Sequence, residues 1–167
     1  MSTKTLEQWL DYQLHTHPQQ IAMGLERVRE VAIRLRLARP AQHVITVAGT
    51  NGKGSTVAFI ESSARAAGLR TGAFTSPHLL RYNERVRLDG DDAPDGLLVA
   101  AFERIEAARG DIALTYFEFG TLAALLLFAD AKLDPFHQPR DGKVVPRAFG
   151  FFGIKLRGDH LALAVVA

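Results

Sequence analysis

The sequence predicts an α/β fold: a P-loop-type nucleotide-binding core in which parallel strands are flanked by helices. Three observations carry that reading. Val44-Ile45-Thr46-Val47-Ala48 is a compact β-branched run, a glycine-rich loop from Gly49 to Ser55 follows it at once, and Val57, Ile60, Ala64 and Ala67 then repeat at helical spacing. Strand, glycine loop and helix in that order place the positive end of a helix beside a loop of backbone N–H donors.

The first residues to show a pattern are Leu6, Trp9, Leu10 and Leu14, which predict a short amphipathic helix over 5–14, with Thr5 or Thr3 as its cap. Pro18 interrupts it. After Gly24 a second helix is expected, with Leu25, Val28, Ala32 and Leu35 as its apolar stripe and Arg27, Glu30 and Arg34 on the other face; Pro40 ends it. The β-branched run should be a strand covered on both faces. Gly68 stops the helix that follows the glycine loop, and Thr71-Gly72-Ala73-Phe74-Thr75 then completes a parallel β-α-β unit.

Ser76-Pro77 breaks that strand, and the charge-rich stretch from His78 to Arg87 reads as an excursion over the surface. Residues 89–95 form a turn. A helix from Gly96 to Ala108 should bury Leu98, Phe102 and Ile105, and Gly110 ends it. Thr115-Tyr116-Phe117-Glu118 then opens an apolar helix, Phe119 to Lys132, whose lack of a polar stripe implies burial on most sides.

Composition narrows the class. With 167 residues, 47% apolar and 23% charged, the chain has material for one compact domain. It contains no cysteine, which excludes disulfides and thiolate metal sites, and no apolar run near the roughly 20 residues of a membrane span. A cytoplasmic monomer that binds neither membrane nor nucleic acid is the expectation. The net charge of +2 is too small for a nucleic-acid face. It is also uneven: residues 1–134 hold 15 Lys/Arg against 16 Asp/Glu, whereas residues 135–167 hold 5 against 2, along with four of the ten phenylalanines.

A phosphate chain needs inward N–H donors, a cation, and a hydroxyl or carboxylate for magnesium. Gly49, Gly52 and Gly54 permit close approach, Thr50 and Asn51 complete the turn, Lys53 supplies the charge, and Ser55 or Thr56 the hydroxyl. Relative to Gly-x-x-x-x-Gly-Lys-Ser/Thr, Val47 stands at the first glycine and Gly54 follows the lysine, so the loop is a variant of that motif.

At Ala48 to Ser55 the chain resembles the Mur ligase superfamily. Phe74-Thr75-Ser76-Pro77-His78-Leu79, Arg81-Tyr82-Asn83-Glu84-Arg85-Val86, Gly24-Leu25-Glu26-Arg27-Val28 and the segment Leu114 to Thr121 narrow the likeness. Together they resemble the bifunctional dihydrofolate synthase/folylpolyglutamate synthases over residues 5–134. The resemblance implies an incomplete Mur-ligase-like central domain. It further implies ATP-dependent amide formation, in which the carboxylate of dihydropteroate or a reduced folate is phosphorylated and the amine of L-glutamate attacks. ATP and Mg2+ are the implied cofactors. By the same resemblance Thr50 to Lys53 hold the ATP phosphates, Lys53 stabilises the transferring group, and Ser76 joins Ser55 as a magnesium ligand. The pterin contacts would be Ala22, Met23, Gly24 and Leu25 with Thr115, Tyr116, Phe117 and Glu118, although the family commonly has aspartate where this chain has Ala22. Two alternatives stay open: Ser76 as a turn residue before Pro77, and Glu118 as a helix cap.

The resemblance stops at Asp134, where the family continues into a buried strand, a metal-binding glutamate and a glycine-rich turn. Pro135 and Pro139 exclude a strand between them. Residues 135–167 are therefore expected to be a divergent tail from a truncated or frame-shifted reading, with the C-terminal glutamate-binding domain absent. A parallel sheet cut after two or three strands would leave an open edge and an uncovered apolar helix. Two functions follow: a folate ligase impaired by truncation, or a nucleotide-binding remnant without turnover. A ligase of cell-wall precursors would share the loop but not the Ser76 and Thr115–Glu118 segments.

Overall fold

A computed structural model describes residues 4–16, 24–37, 40–41, 43–131 and 160–164. In chain order the elements are α1 (Leu6–Thr16), α2 (Glu26–Arg34), β1 (His43–Thr46), α3 (Lys53–Ala66), β2 (Arg70–Phe74), a 3-10 turn (Tyr82–Arg85), β3 (Val86–Leu88), β4 (Asp91–Asp92), α4 (Asp95–Arg109), α5 (Tyr116–Asp130) and β5 (His160–Ala164). The chain forms two compact units that interleave along the sequence. One comprises Met1–Ala38 and Ala93–Leu127, the other Arg39–Asp92 and Phe128–Ala167. This division differs from the single break after Asp134 that composition suggests.

The first unit is helical. Apolar spacing on α1 and α4 turns Trp9 toward Phe102, whose ring centroids lie 6.0 Å apart, and Phe119 of α5 meets Phe102 edge-on at 6.4 Å. Leu98, Phe102 and Ile105 are fully buried, as their spacing predicts. On α2 the buried residue is Val31, while Leu25 is 77% exposed. The expected stripe is therefore displaced, because Leu25 precedes the helix as its N-cap instead of lying on its face.

The second unit is a five-stranded sheet of order β1-β5-β2-β3-β4. Strand β5 runs parallel to both neighbours, with Leu161 opposite His43 on one side and Thr71 on the other. Strands β3 and β4 add an antiparallel hairpin beside β2. Only the β1-β5-β2 part is parallel, so the sheet is mixed. Val57 and Ala64 of α3 pack with Leu69 and Ala73, and Ile45, Val47 and Ile60 cover that cluster.

Four expectations change. Strand β1 is an edge strand that packs one face and exposes Val44, so it is not covered on both sides. Residues 78–87 are a surface excursion only in part: Leu79, Leu80 and Arg81 are exposed, whereas Tyr82, Asn83, Arg85 and Val86 are buried, with the Arg85 guanidinium bonded to His78 and Ser76. The sheet is not cut after two or three strands, since residues 160–164 supply the strand between β1 and β2. The apolar helix is not uncovered: Phe119, Leu122, Ala123 and Leu126 of α5 are fully buried. Pro135 to Arg140 lie outside the described residues.

Candidate functional site

The glycine loop lies in the second unit, between the end of β1 at Thr46 and the start of α3 at Lys53. Gly52 is the N-cap of α3 with φ of 75°, in the left-handed region where a side chain is strained. Its carbonyl oxygen accepts both the Thr56 N–H and the Thr56 hydroxyl, each at 2.9 Å. Ser55 and Thr56 are both exposed, and the Thr56 hydroxyl is turned toward the Gly52 carbonyl. No side chain caps the first turn of α3. Its leading N–H groups and partial positive charge open onto the loop.

Lys53 folds back over this loop, donating to the carbonyl oxygens of Gly49 at 2.6 Å and Thr50 at 3.5 Å. A Cβ added at Gly52 or Gly54 would meet no heavy atom within 4 Å, and at Gly49 only the Asn51 carbonyl oxygen at 3.8 Å. Packing therefore does not require glycine at Gly54. The missing side chains leave room against the backbone, and that room, with an ammonium beside it, fits a phosphate chain.

Ser76 follows β2 and precedes a cis bond to Pro77. Its hydroxyl accepts Arg85 Nη1 at 3.3 Å, and Arg85 Nε donates to His78 Nδ1 at 2.8 Å. The guanidinium also stands over the Tyr82 ring, 5.6 Å from its centroid. A cation at Ser76 would face this fixed positive charge. Among the described residues no group of three or more His, Asp or Glu side chains is placed to hold a metal. Ser55 and Ser76 alone therefore do not make a magnesium site, since a hard cation of that size takes carboxylate or phosphate oxygens. Next to Ser76, Glu84 accepts the N–H groups of Leu79, Leu80 and Arg81 at 2.7, 2.9 and 2.8 Å. Those bonds hold its carboxyl below the ordinary carboxylate value.

The segments expected to contact a pterin lie in the first unit. Ala22 and Met23 fall outside the described residues, and Gly24 has φ of 115°. Thr115 and Glu118 form a reciprocal cap on α5: Glu118 Oε2 accepts the Thr115 N–H at 2.7 Å, and Thr115 Oγ1 accepts the Glu118 N–H at 3.2 Å. Glu118 is thus a helix cap in this structure. It is also ion-paired to Arg27 of α2, Nη2 to Oε1 at 2.9 Å. Tyr116 and Phe117 are half-buried. The pair brings residues 24–27 and 115–118 together. The glycine loop and Ser76 form their own bonds in the other unit, and among the described residues Ser76 shares none with the loop.

Sequence reasoning passed over Arg27 and Arg85, which read as surface charges. The Thr-x-x-Glu spacing at 115–118 is a readable capping box, but nothing in it points to an arginine 91 residues earlier.

No family model matches the chain. The strand, glycine loop and helix on a sheet whose β1-β5-β2 side is parallel define part of a Mur-ligase-fold nucleotide-binding domain. The chain is 54% identical over 129 residues to the dihydrofolate synthase/folylpolyglutamate synthase of Escherichia coli K12, covering 77% of this chain and 31% of that protein. Against the Haemophilus influenzae enzyme of the same name the identity is 49% over 133 residues, covering 80% and 30%. The structure of E. coli FolC in complex with DHPP and ADP superposes with a TM-score of 0.80 and 42% identity over 98% of this chain and 33% of that one. A bifunctional folylpolyglutamate synthase/dihydrofolate synthase solved with Mn, AMPPNP and L-glutamate bound gives 0.77 and 44%, over 99% and 34%. The chain is homologous to the N-terminal part of the bifunctional dihydrofolate synthase/folylpolyglutamate synthases. It spans about a third of the length of the relatives it matches.

Proposed function

We propose that this chain carries the phosphate-binding and pterin-binding part of an ATP-dependent ligase that joins L-glutamate to dihydropteroate or a reduced folate. The loop around Lys53, open at Gly52 and Gly54, carries the proposal. In the reaction a substrate carboxylate oxygen attacks the γ-phosphorus and ADP leaves; the glutamate amine then attacks the acyl carbon and phosphate leaves. The chain's own part is electrostatic: backbone N–H groups of residues 50–54 and the Lys53 ammonium hold the phosphate oxygens and the charge that builds on them. Magnesium, when bound, neutralises phosphate charge. Ser55 and Ser76 are its proposed hydroxyl ligands, and phosphate oxygens, water and carboxylates would complete its shell. Gly24, Leu25 and Thr115 to Phe117 are proposed pterin contacts, as are Ala22 and Met23, which lie outside the described residues.

A second reading, a nucleotide-binding remnant without ligase turnover, is favoured by one observation: among the described residues no carboxylate cluster can hold the metal. Calorimetric titration with ATP, with and without Mg2+, tests the shared part. Phosphate release in the presence of dihydropteroate, with and without glutamate, separates the two. ATP binding with glutamate-dependent release supports the ligase, binding without it supports the remnant, and no binding at millimolar ATP overturns both.

The setting proposed is a cytoplasmic monomer; no helix among the described residues is long and apolar enough to cross a membrane. Residues 135–167 are proposed as a tail divergent in sequence, testable by reading the adjacent DNA in all three frames for the metal-binding glutamate and glycine turn.

A further inference from the structure

We propose that Arg27 is a positioning residue: through Glu118 it holds the start of α2, with Gly24 and Leu25, against the Thr115–Glu118 turn, and so sets the gap into which a dihydropteroate ring fits. The inference rests on the reading of those two segments as pterin contacts.

The geometry of one carboxylate carries it. Arg27 Nε lies 3.1 Å from Glu118 Oε1 and 3.4 Å from Oε2, Nη2 lies 2.9 Å from Oε1, and the Thr115 N–H lies 2.7 Å from Oε2. Three N–H donors, the Arg27 Nε–H shared between both oxygens, take most of the acceptor positions of the carboxylate. With that carboxylate engaged from both segments, the part of Glu118 is to join two stretches that the sequence keeps 91 residues apart. The Glu118 side chain is 8% exposed and that of Arg27 29%. Arg27 thus reaches the clasp from the accessible side, two residues beyond Leu25. Leu25 itself is exposed and contributes no side-chain cap to α2, while Tyr116 and Phe117 are half-buried. Apolar and aromatic groups suited to a flat ring thus flank both ends of the ion pair.

A forked guanidinium fixes both distance and plane, which a single ammonium does not. Glutamine at position 118 preserves the cap, since Glu and Gln both serve at the third helical position, and removes only the charge that Arg27 holds.

The test is equilibrium titration of 7,8-dihydropteroate, followed by Trp9 fluorescence or calorimetry, into the full 167-residue chain and its R27Q, R27K, E118Q and R27Q/E118Q variants, with ATP titrated in parallel. For R27Q the expected result is a rise of at least about tenfold in the dihydropteroate Kd and an ATP Kd within about twofold of the unaltered chain. R27K recovers little of the loss, and the double variant binds no more weakly than the weaker single one, because both changes remove the same clasp. Should R27Q fail to fold, R27K carries the test with an expected severalfold loss. Unchanged dihydropteroate affinity in R27Q or R27K, or losses that multiply in the double variant, overturns this proposal alone. A chain that binds ATP but no dihydropteroate overturns the substrate reading and this inference with it.

Discussion

The ammonium of Lys53 lies 2.6 Å from the carbonyl oxygen of Gly49, so the cation at the start of α3 is held on an acceptor of its own loop. A phosphate oxygen offers a charged acceptor in place of a neutral one, and hydrogen bonds between charged groups are roughly twice as strong. Lys53→Met should therefore weaken ATP binding by about tenfold to a hundredfold, from the roughly 1.5–3 kcal/mol of a charge-assisted bond. Its effect on folding should be within about 0.5 kcal/mol, because the lost bond is exposed. Calorimetric titration and a thermal melt of the same sample check both halves; equal ATP affinity in the variant would remove Lys53 from the site.

Gly52 and Gly54 separate backbone need from ligand room. At Gly52 the φ of 75° makes alanine cost about 1–2 kcal/mol although its Cβ meets nothing. Gly54 carries no such strain and sits inside the first turn of α3, so Gly54→Ala should stabilise the fold by up to about 0.5–1 kcal/mol. Both changes place a methyl group where phosphate would approach, and both should weaken ATP binding. Melting temperatures moving in opposite directions while affinities fall together is the expected pattern. Unimpaired ATP binding by Gly54→Ala would show that the open space is not ligand space.

These two glycines also show what the sequence could and could not reveal. The loop was legible because strand, glycines, lysine and helix are contiguous, and local order is what periodicity reports. The same holds for α4, where Leu98, Phe102 and Ile105 repeat at helical spacing and are all buried. Residues 82–86 were not legible, because Arg85 and Asn83 have surface chemistry yet are buried, Arg85 through its bonds to His78 and Ser76. Strand β5 was hidden for another reason. Its pairing with β1 and β2 joins residues 161 and 43, 118 positions apart, and a run such as Leu161-Ala162-Leu163-Ala164 does not announce its neighbours. The Arg27–Glu118 ion pair is non-local in the same way.

Glu84 gives the 76–85 segment an acid limit. The N–H groups of Leu79, Arg81 and Leu80 bond its carboxylate and lower its pKa beneath the ordinary 4.5, against a smaller opposing effect of desolvation. A depressed native pKa means that the stabilisation is fully present above about pH 4.5 and is lost as pH falls through the lower native value. Amide chemical shifts of Leu79, Leu80 and Arg81, followed by NMR, should move together in that acid range and stay constant from pH 5 to 7. In Glu84→Gln the shared transition should disappear. Independent titration of the three amides, or none above pH 2, would contradict the shared carboxylate.

Arg87 of β3 reaches Glu61 of α3, Nη2 to Oε2 at 2.6 Å, with side chains 23% and 6% exposed. The remaining Glu61 Oε1 and Arg87 Nε are buried without a partner among the described residues. Two desolvated charges with incomplete hydrogen bonding add little net stability, yet either one left alone is costly. Glu61→Leu should destabilise the chain by about 3 kcal/mol, the lower end for a broken buried pair because Arg87 keeps some contact with water. Glu61→Leu/Arg87→Met should recover most of that loss, since the uncompensated guanidinium is gone and apolar atoms fill the space. Urea denaturation of the two single variants and the double variant closes the cycle. Additive losses would mean that the two side chains act separately and that α3 is held over the sheet by the Val57, Ala64, Leu69 and Ala73 cluster alone.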